Sequence, residues 1–119
     1  MAFKTHNDDM SISAGGTCGQ GFVASDYANI VRVFGKPIVC RGYKTDAEWI
    51  ILFDDGKIAS IYNYKTGKNY LGPDGLDVED ITYWHIGGSC RSVKERILLL
   101  LSDDWGAFES IRQSAVLSL

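Results

Sequence analysis

The chain is short of the residues that most often announce chemistry. It has two histidines, His6 and His85, and three cysteines, Cys18, Cys40 and Cys90. An odd number at wide spacing, with no CxxC pair and no Cys/His ligand spacing, speaks against a disulfide framework and against a structural zinc site. Free thiols in a reducing cytoplasm are the expectation. There is no excess of positive charge. The net charge is −3 and the sequence pI about 5.2, which argues against nucleic acid or an anionic membrane as partner, since both call for a basic face. The longest apolar run, residues 97–101, is far too short to span a bilayer, and the polar N-terminus lacks a signal-peptide pattern. No internal repeat, low-complexity stretch, catalytic signature or metal-ligand set is present, and no cofactor is implied.

What is present suffices for one domain spanning 1–119. Hydrophobic residues make up 45% of the 119, enough for a real core at this length. The organising stretch is 46–88, which reads as three consecutive strands at 47–53, 58–64 and 81–86. Asp54-Asp55-Gly56 joins the first two, and Asp and Gly tolerate the positive φ that tight hairpins need. Along the first strand Ala47, Trp49, Ile51 and Phe53 point one way, and Glu48, Ile50 and Leu52 the other. Apolar residues on both sides place this strand inside the sheet.

Before the hairpin, residues 1–9 are polar and expected to be poorly ordered, 10–14 alternate like a short edge strand, and 19–24 form a better strand. Ser25 reads as the N-cap of a helix over 26–34, with Tyr27, Ile30, Val31 and Phe34 as its buried stripe. Gly35 and Pro37 end it. After the last strand, Ser92-Val93-Lys94-Glu95 matches a capping box. The helix that follows, 93–102, is apolar nearly all round, so it is either sandwiched or part of a subunit interface. An amphipathic helix over 107–117 completes the chain, and the two together suggest a homodimer. The expected fold is α+β: a small antiparallel sheet with helices packed on one face, in the order β-α-β-β-β-α-α.

Three candidate sites stand out. Gly87 and Gly88 lead to a helix N-terminus beside Arg91 and Lys94, where an anion could approach the backbone. The capping box, however, already accounts for those amides, and the P-loop Gly-Lys-Ser/Thr is absent. The second candidate is the aromatic set Tyr62, Tyr64, Tyr70, Tyr83 and Trp84, interleaved with Asn63, Lys65, Lys68 and His85. Flat rings with polar tips suit a stacking pocket or a protein-binding hot spot, although strands are rich in such rings for packing alone. Tyr64, Lys65, Lys68 and Tyr70 lie at or beyond a strand end, in or near a glycine-rich loop, and are the ones expected at the surface. The third candidate is His85 as a general base, which has no nucleophile motif to work with. The carboxylate pairs Asp54/Asp55, Glu79/Asp80 and Asp103/Asp104 read as turns or solvated ends.

The pattern Gly42-Tyr43-Lys44-Thr45-Asp46-Ala47-Glu48-Trp49, Phe53-Asp54-Asp55-Gly56, Ala59-Ser60-Ile61-Tyr62-Asn63-Tyr64-Lys65, Lys68-Asn69-Tyr70-Leu71-Gly72 and Trp84-His85-Ile86-Gly87-Gly88 resembles a family of small bacteriophage and prophage proteins of unassigned role. The resemblance spans about residues 20–99 and implies a host-cytoplasmic setting. By analogy with other small acidic phage proteins, it implies a non-enzymatic inhibitor of a bacterial defence component, such as an anti-CRISPR protein. The expected partner is then a host protein. The alternatives are a small anionic ligand such as a signalling nucleotide, held by Tyr62, Tyr64, Lys65, Lys68, Tyr70, His85, Gly87 and Gly88, and, behind both, an enzyme using His85.

Overall fold

A computed structural model describes residues 2–102. Its elements are β1 (Phe3–Thr5), β2 (Cys18–Ala24), α1 (Tyr27–Phe34), β3 (Ile38–Val39), β4 (Ala47–Phe53), β5 (Ile58–Tyr62), α2 (Lys68–Leu71), β6 (Tyr83–Gly88) and α3 (Ser92–Leu100), with short 3-10 turns at Gly72–Asp74 and Val78–Asp80. The six strands form one antiparallel sheet in the order β1-β4-β5-β6-β2, and β3 shares with β1 the outer edge of β4. The α+β class and the antiparallel sheet are as the sequence implies. The amphipathic helix expected over 107–117 lies outside the described residues.

The central hairpin follows from its turn. Gly56 sits at φ +86° and its amide bonds to Phe53 O at 2.9 Å, while Phe53 N returns a bond to Lys57 O. This is a three-residue loop of the kind that needs a left-handed glycine at its end. Arg96 of α3 grips Asp55 in the loop with both guanidinium nitrogens, at 3.0 and 2.7 Å, and lies over the Phe53 ring. The turn is thereby tied to the helix layer.

One face of the sheet carries the core. Trp49, Ile51 and Phe53 of β4, Ala59 and Ile61 of β5, Trp84 and Ile86 of β6 and Val23 of β2 meet Ile30 and Phe34 of α1 and Val93, Ile97 and Leu100 of α3. Trp49 and Trp84 pack edge to face with centroids 5.2 Å apart. Each indole N–H is satisfied, one by Gly35 O and the other by Ser25 O. Buried tryptophans need such partners for their one polar atom.

Four local expectations are corrected. Of residues 1–9, expected to be poorly ordered, the described residues 2–9 are held: β1 pairs with β4, and His6 fills the gap between β1 and β3. There its amide donates to Ile50 O, its Nδ1 faces Ile50 N and its Nε2 faces Lys36 O. Residues 10–14 form a turn at Met10 and Ser11 followed by irregular chain, not an edge strand. The cap of α1 is Asp26, whose carboxylate accepts from Asn29 N at 2.8 Å. Ser25 still belongs to the sheet, its amide bonding Thr82 O, so the helix begins one residue later. The capping box of α3 does not form. Arg91 already has helical φ and ψ, there is no side-chain cap, and the Ser92 hydroxyl instead meets Cys90 Sγ at 3.1 Å. α3 lays Val93, Ile97 and Leu100 on its own sheet and leaves Leu98 exposed, so most of its apolar surface is used within the chain.

Candidate recognition face

The two-residue alternation that sends the tryptophans into the core sends their neighbours to the other side of the sheet. The ladder register then sets one residue from each of five strands in a row: Ile38, Glu48, Tyr62, His85 and Phe22. Tyr62 stacks on His85 with centroids 5.4 Å apart and planes 23° from parallel. Phe22 meets His85 edge-on at 4.8 Å and stacks on Tyr83 at 5.3 Å. Tyr64, just past β5, reaches the same imidazole at 5.5 Å. The result is a continuous aromatic strip on the face opposite both α1 and α3. Its rings remain open, with Phe22 47%, Tyr83 53% and Tyr64 38% exposed.

The strip continues onto two loops. Lys65 Nζ stands 5.3 Å from the Tyr64 centroid and 5.4 Å from that of Tyr70, Lys44 Nζ lies 5.9 Å from Tyr64, and Tyr70 meets Tyr43 edge-on at 5.1 Å. What holds these loops is polar. Asn63, fully buried, accepts from the amides of Asp46 and Ala47 at 2.9 and 3.0 Å and donates to Asp46 Oδ1. The other Asp46 oxygen takes the Asn69 amide, and the Asn69 side chain donates to the carbonyls of Cys40, Gly42 and Thr45. Gly67 lies against the Asp46 carboxylate, where a Cβ would collide with it. Lys65 takes φ +61° and bonds Lys44 O through its amide. This network explains why β5 stops at Tyr62 and does not run to residue 64: the Asn63 side chain, not another ladder bond, secures the chain there. The rim is therefore held in place by the chain's own hydrogen bonds.

The expected site residues divide. Tyr62, Tyr64, Lys65, Tyr70 and His85 come together in the strip. Lys68 stands apart from it and pairs with Asp77 at 2.8 Å. Gly87 lies on the strip's side of the sheet, where a Cβ would come within 2.6 Å of Ser60 Oγ and 3.6 Å of Tyr62. Gly88 faces the other way, under Val93 of α3, so the two glycines do not form one site. A cavity of about 460 Å³ is lined by Ala2, Phe3, Lys4, Leu52, Phe53, Asp54 and Gly56. Another, of about 570 Å³, is lined by Gly19, Gln20, Arg91, Lys94, Glu95 and Leu98. Neither is lined by the aromatic strip, whose Phe22, Tyr83 and Tyr64 rings are exposed.

Burial sets the electrostatics of the row. It lowers the pKa of His85, favouring neutral imidazole, and it raises that of Tyr62, with Glu48 and Tyr64 adding to the rise. Glu48 is half-buried, and this desolvation raises its pKa against a smaller opposing pull from His6. No described residue gives the Glu48 carboxylate a hydrogen bond or an ion pair. The signal that places Phe22 and Glu48 in the row is the strand alternation combined with the register of β2 on β6 and of β4 on β5, while Lys44 reaches the strip from the loop before β4. Among the described residues no group of three or more His, Cys, Asp and Glu side chains could hold a metal ion, and no helix is long and apolar enough to cross a membrane.

Comparison with protein-family models, with curated proteins and with solved structures finds no match to this chain.

Proposed function

We propose that the protein is a non-enzymatic binding protein that docks another protein on the open face of its sheet. The observation that carries this reading is the aromatic strip from Tyr83 and Phe22 through His85, Tyr62 and Tyr64 to the two lysines. It is exposed, continuous and pre-set by the Asn63–Asp46–Asn69 network. Aromatic side chains on rigid elements bring much contact area at small entropic loss, and a few of them dominate most interfaces. An open strip suits an extended protein surface better than a small ligand, which needs a concavity around it. His85 is held among rings with no nucleophile in contact, so it serves as part of the platform.

In the setting that the resemblance to phage proteins implies, the partner is a component of bacterial defence and the outcome of binding is inhibition in the host cytoplasm. The test is capture from host lysate by the intact protein and by its Phe22→Ala and Tyr64→Ala variants. A partner retained by the first and lost by both variants supports the reading. No partner, or one indifferent to both substitutions, refutes it. Homodimerisation is a separate proposal, motivated among the described residues by the exposed Leu98 of α3. Light scattering that gives a monomer at high concentration would dismiss it.

One observation favours a second reading. Lys44 and Lys65 both stand over the Tyr64 ring, as phosphate-binding groups would beside a stacked base. A nucleotide held there must raise the melting temperature by mass action. A thermal-shift screen of cyclic and linear nucleotides without a response would end that alternative.

A further inference from the structure

The row Ile38–Glu48–Tyr62–His85–Phe22 contains one carboxylate. Its neighbours across the sheet are Ile38 on one side and the Tyr62 ring on the other, and along β4 the next residue on its face is Ile50, which is buried. In the free protein Glu48 is partly open to water. A partner seated on the strip removes that water. Burying a charged carboxylate without a counter-charge is costly, so a covering surface that supplies a cation is favoured over one that leaves the acid to be neutralised by a proton. The described residues do not pair with it: His6, whose ring nitrogens face Ile50 N and Lys36 O, exerts a coulombic pull on Glu48 without a hydrogen bond or ion pair. Lys44 and Lys65 stand over the Tyr64 and Tyr70 rings, and neither forms an ion pair with Glu48. The flat Tyr62 ring beside the carboxylate favours a planar guanidinium, which can stack on the ring while donating to both oxygens. A compact ammonium cannot do both.

We propose that Glu48 is the specificity-determining residue of the docking face, and that it receives an arginine side chain of the partner protein between Ile38 and Tyr62. The inference rests on the docking reading above. It adds to it a requirement on the partner's sequence: an arginine flanked by apolar residues that cover the strip.

A displayed random-peptide library panned on the full chain tests it. Peptides bearing an arginine among apolar residues should be enriched. Glu48→Gln should lower the affinity of the best binder by about thirtyfold or more, the scale for removing one member of a desolvated charge pair. Glu48→Lys should invert the selection toward acidic peptides, and melting curves of both variants establish that they are folded. Enriched peptides that lack a cation and bind Glu48→Gln equally well would overturn the Glu48 assignment while leaving the docking face intact. Failure to enrich anything beyond what the Phe22→Ala, Tyr64→Ala double variant enriches would overturn the docking reading itself. Saturable binding of a labelled single-stranded oligonucleotide, abolished by Tyr64→Ala, would overturn both.

Discussion

Asn63 is where the stability of the sheet and the readiness of the rim meet, so Asn63→Ala is the most informative single substitution. It removes the acceptor for two backbone amides and the donor to Asp46 Oδ1. Ala47 is buried, so its freed N–H finds no water, and an orphaned buried donor costs about 1–3 kcal/mol. The Asp46 amide is half-buried and recovers part of its loss by hydration, while the vacated side-chain volume adds to the penalty. The expected destabilisation is about 2–4 kcal/mol, a large share of the roughly 5–15 kcal/mol typical of a domain. In melting temperature this is a fall of roughly 10 °C at this chain length. The assay is urea denaturation followed by tryptophan fluorescence, together with hydrogen exchange. The amides of Lys65, Asn69 and Leu76, which bond Lys44 O, Asp46 Oδ2 and Thr66 O, should lose protection more than those of the β5–β6 ladder. Asn63→Asp is the control. It keeps the acceptor but sets a second carboxyl against that of Asp46, so it should be less stable at neutral pH than at about pH 4, where one of the pair is protonated. A stability change below about 0.5 kcal/mol for Asn63→Ala, the range of an ordinary surface substitution, would refute the view that this side chain holds the rim.

The other predictions probe the turn, the platform and its charges. Gly88→Ala places a methyl against Val93 Cγ2 and Ile58 O and should lower stability by about 1–3 kcal/mol in chemical denaturation by displacing α3, whereas Gly87→Ala meets only the end of the Ser60 side chain closely and should be milder. Asp55 is held well below the ordinary aspartate value of 3.8, chiefly by its hydrogen bonds from Arg96. Its contribution is therefore complete above that value and is lost as the pH falls through the lowered one, so melting curves of Asp55→Asn should show less loss on acidification than the parent. Glu48 has the opposite sign. Its raised pKa disfavours the folded state as the pH rises through and above the ordinary 4.5, so Glu48→Gln should melt higher than the parent at neutral pH and lose that advantage in acid. Phe22→Ala and Tyr83→Ala, at exposed rings outside the core, should leave stability within about 1 kcal/mol while weakening partner binding.

How far the sequence reveals this protein varies with the kind of signal. β4 is legible because its seven residues alternate, are apolar in the middle and end at Asp-Asp-Gly. α1 is legible from its stripe and from Gly35, which takes the left-handed conformation at φ +82°. Caps are harder to read, because the choice between Ser25 and Asp26, both competent, is made by a ladder bond to Thr82 that no local pattern records. β1 is invisible for the same reason. Phe3, Lys4 and Thr5 are too few to show a period, and only the outer edge of β4 makes them a strand. At the site, tyrosines near a strand end could be nominated one by one. Their assembly with Phe22 and Glu48 could not, since it depends on which residues the register sets side by side across three ladders.

The division of the sheet into two unlike faces gives the functional reading its physical footing. A small domain stabilises itself by covering one face of its sheet with helices, and here the two tryptophans and the aliphatic residues of β4, β5 and β6 do that with α1 and α3. The second face owes nothing to the core, and if it were only solvated surface, polar residues would be expected at its alternate positions. Instead it bears aromatic rings, and among them a carboxylate whose burial disfavours its charged form. A polar residue such as glutamine would relieve that penalty without disturbing the ladder. Sites that lower stability without a structural return are found where a protein meets something else, because the return appears in the complex. In the docking reading proposed above, the Glu48 carboxylate therefore weighs more than the rings do: rings alone could be explained by packing, whereas an acid between Ile38 and Tyr62 with no hydrogen bond or ion pair from the described residues gains a counter-charge only from a surface that covers it.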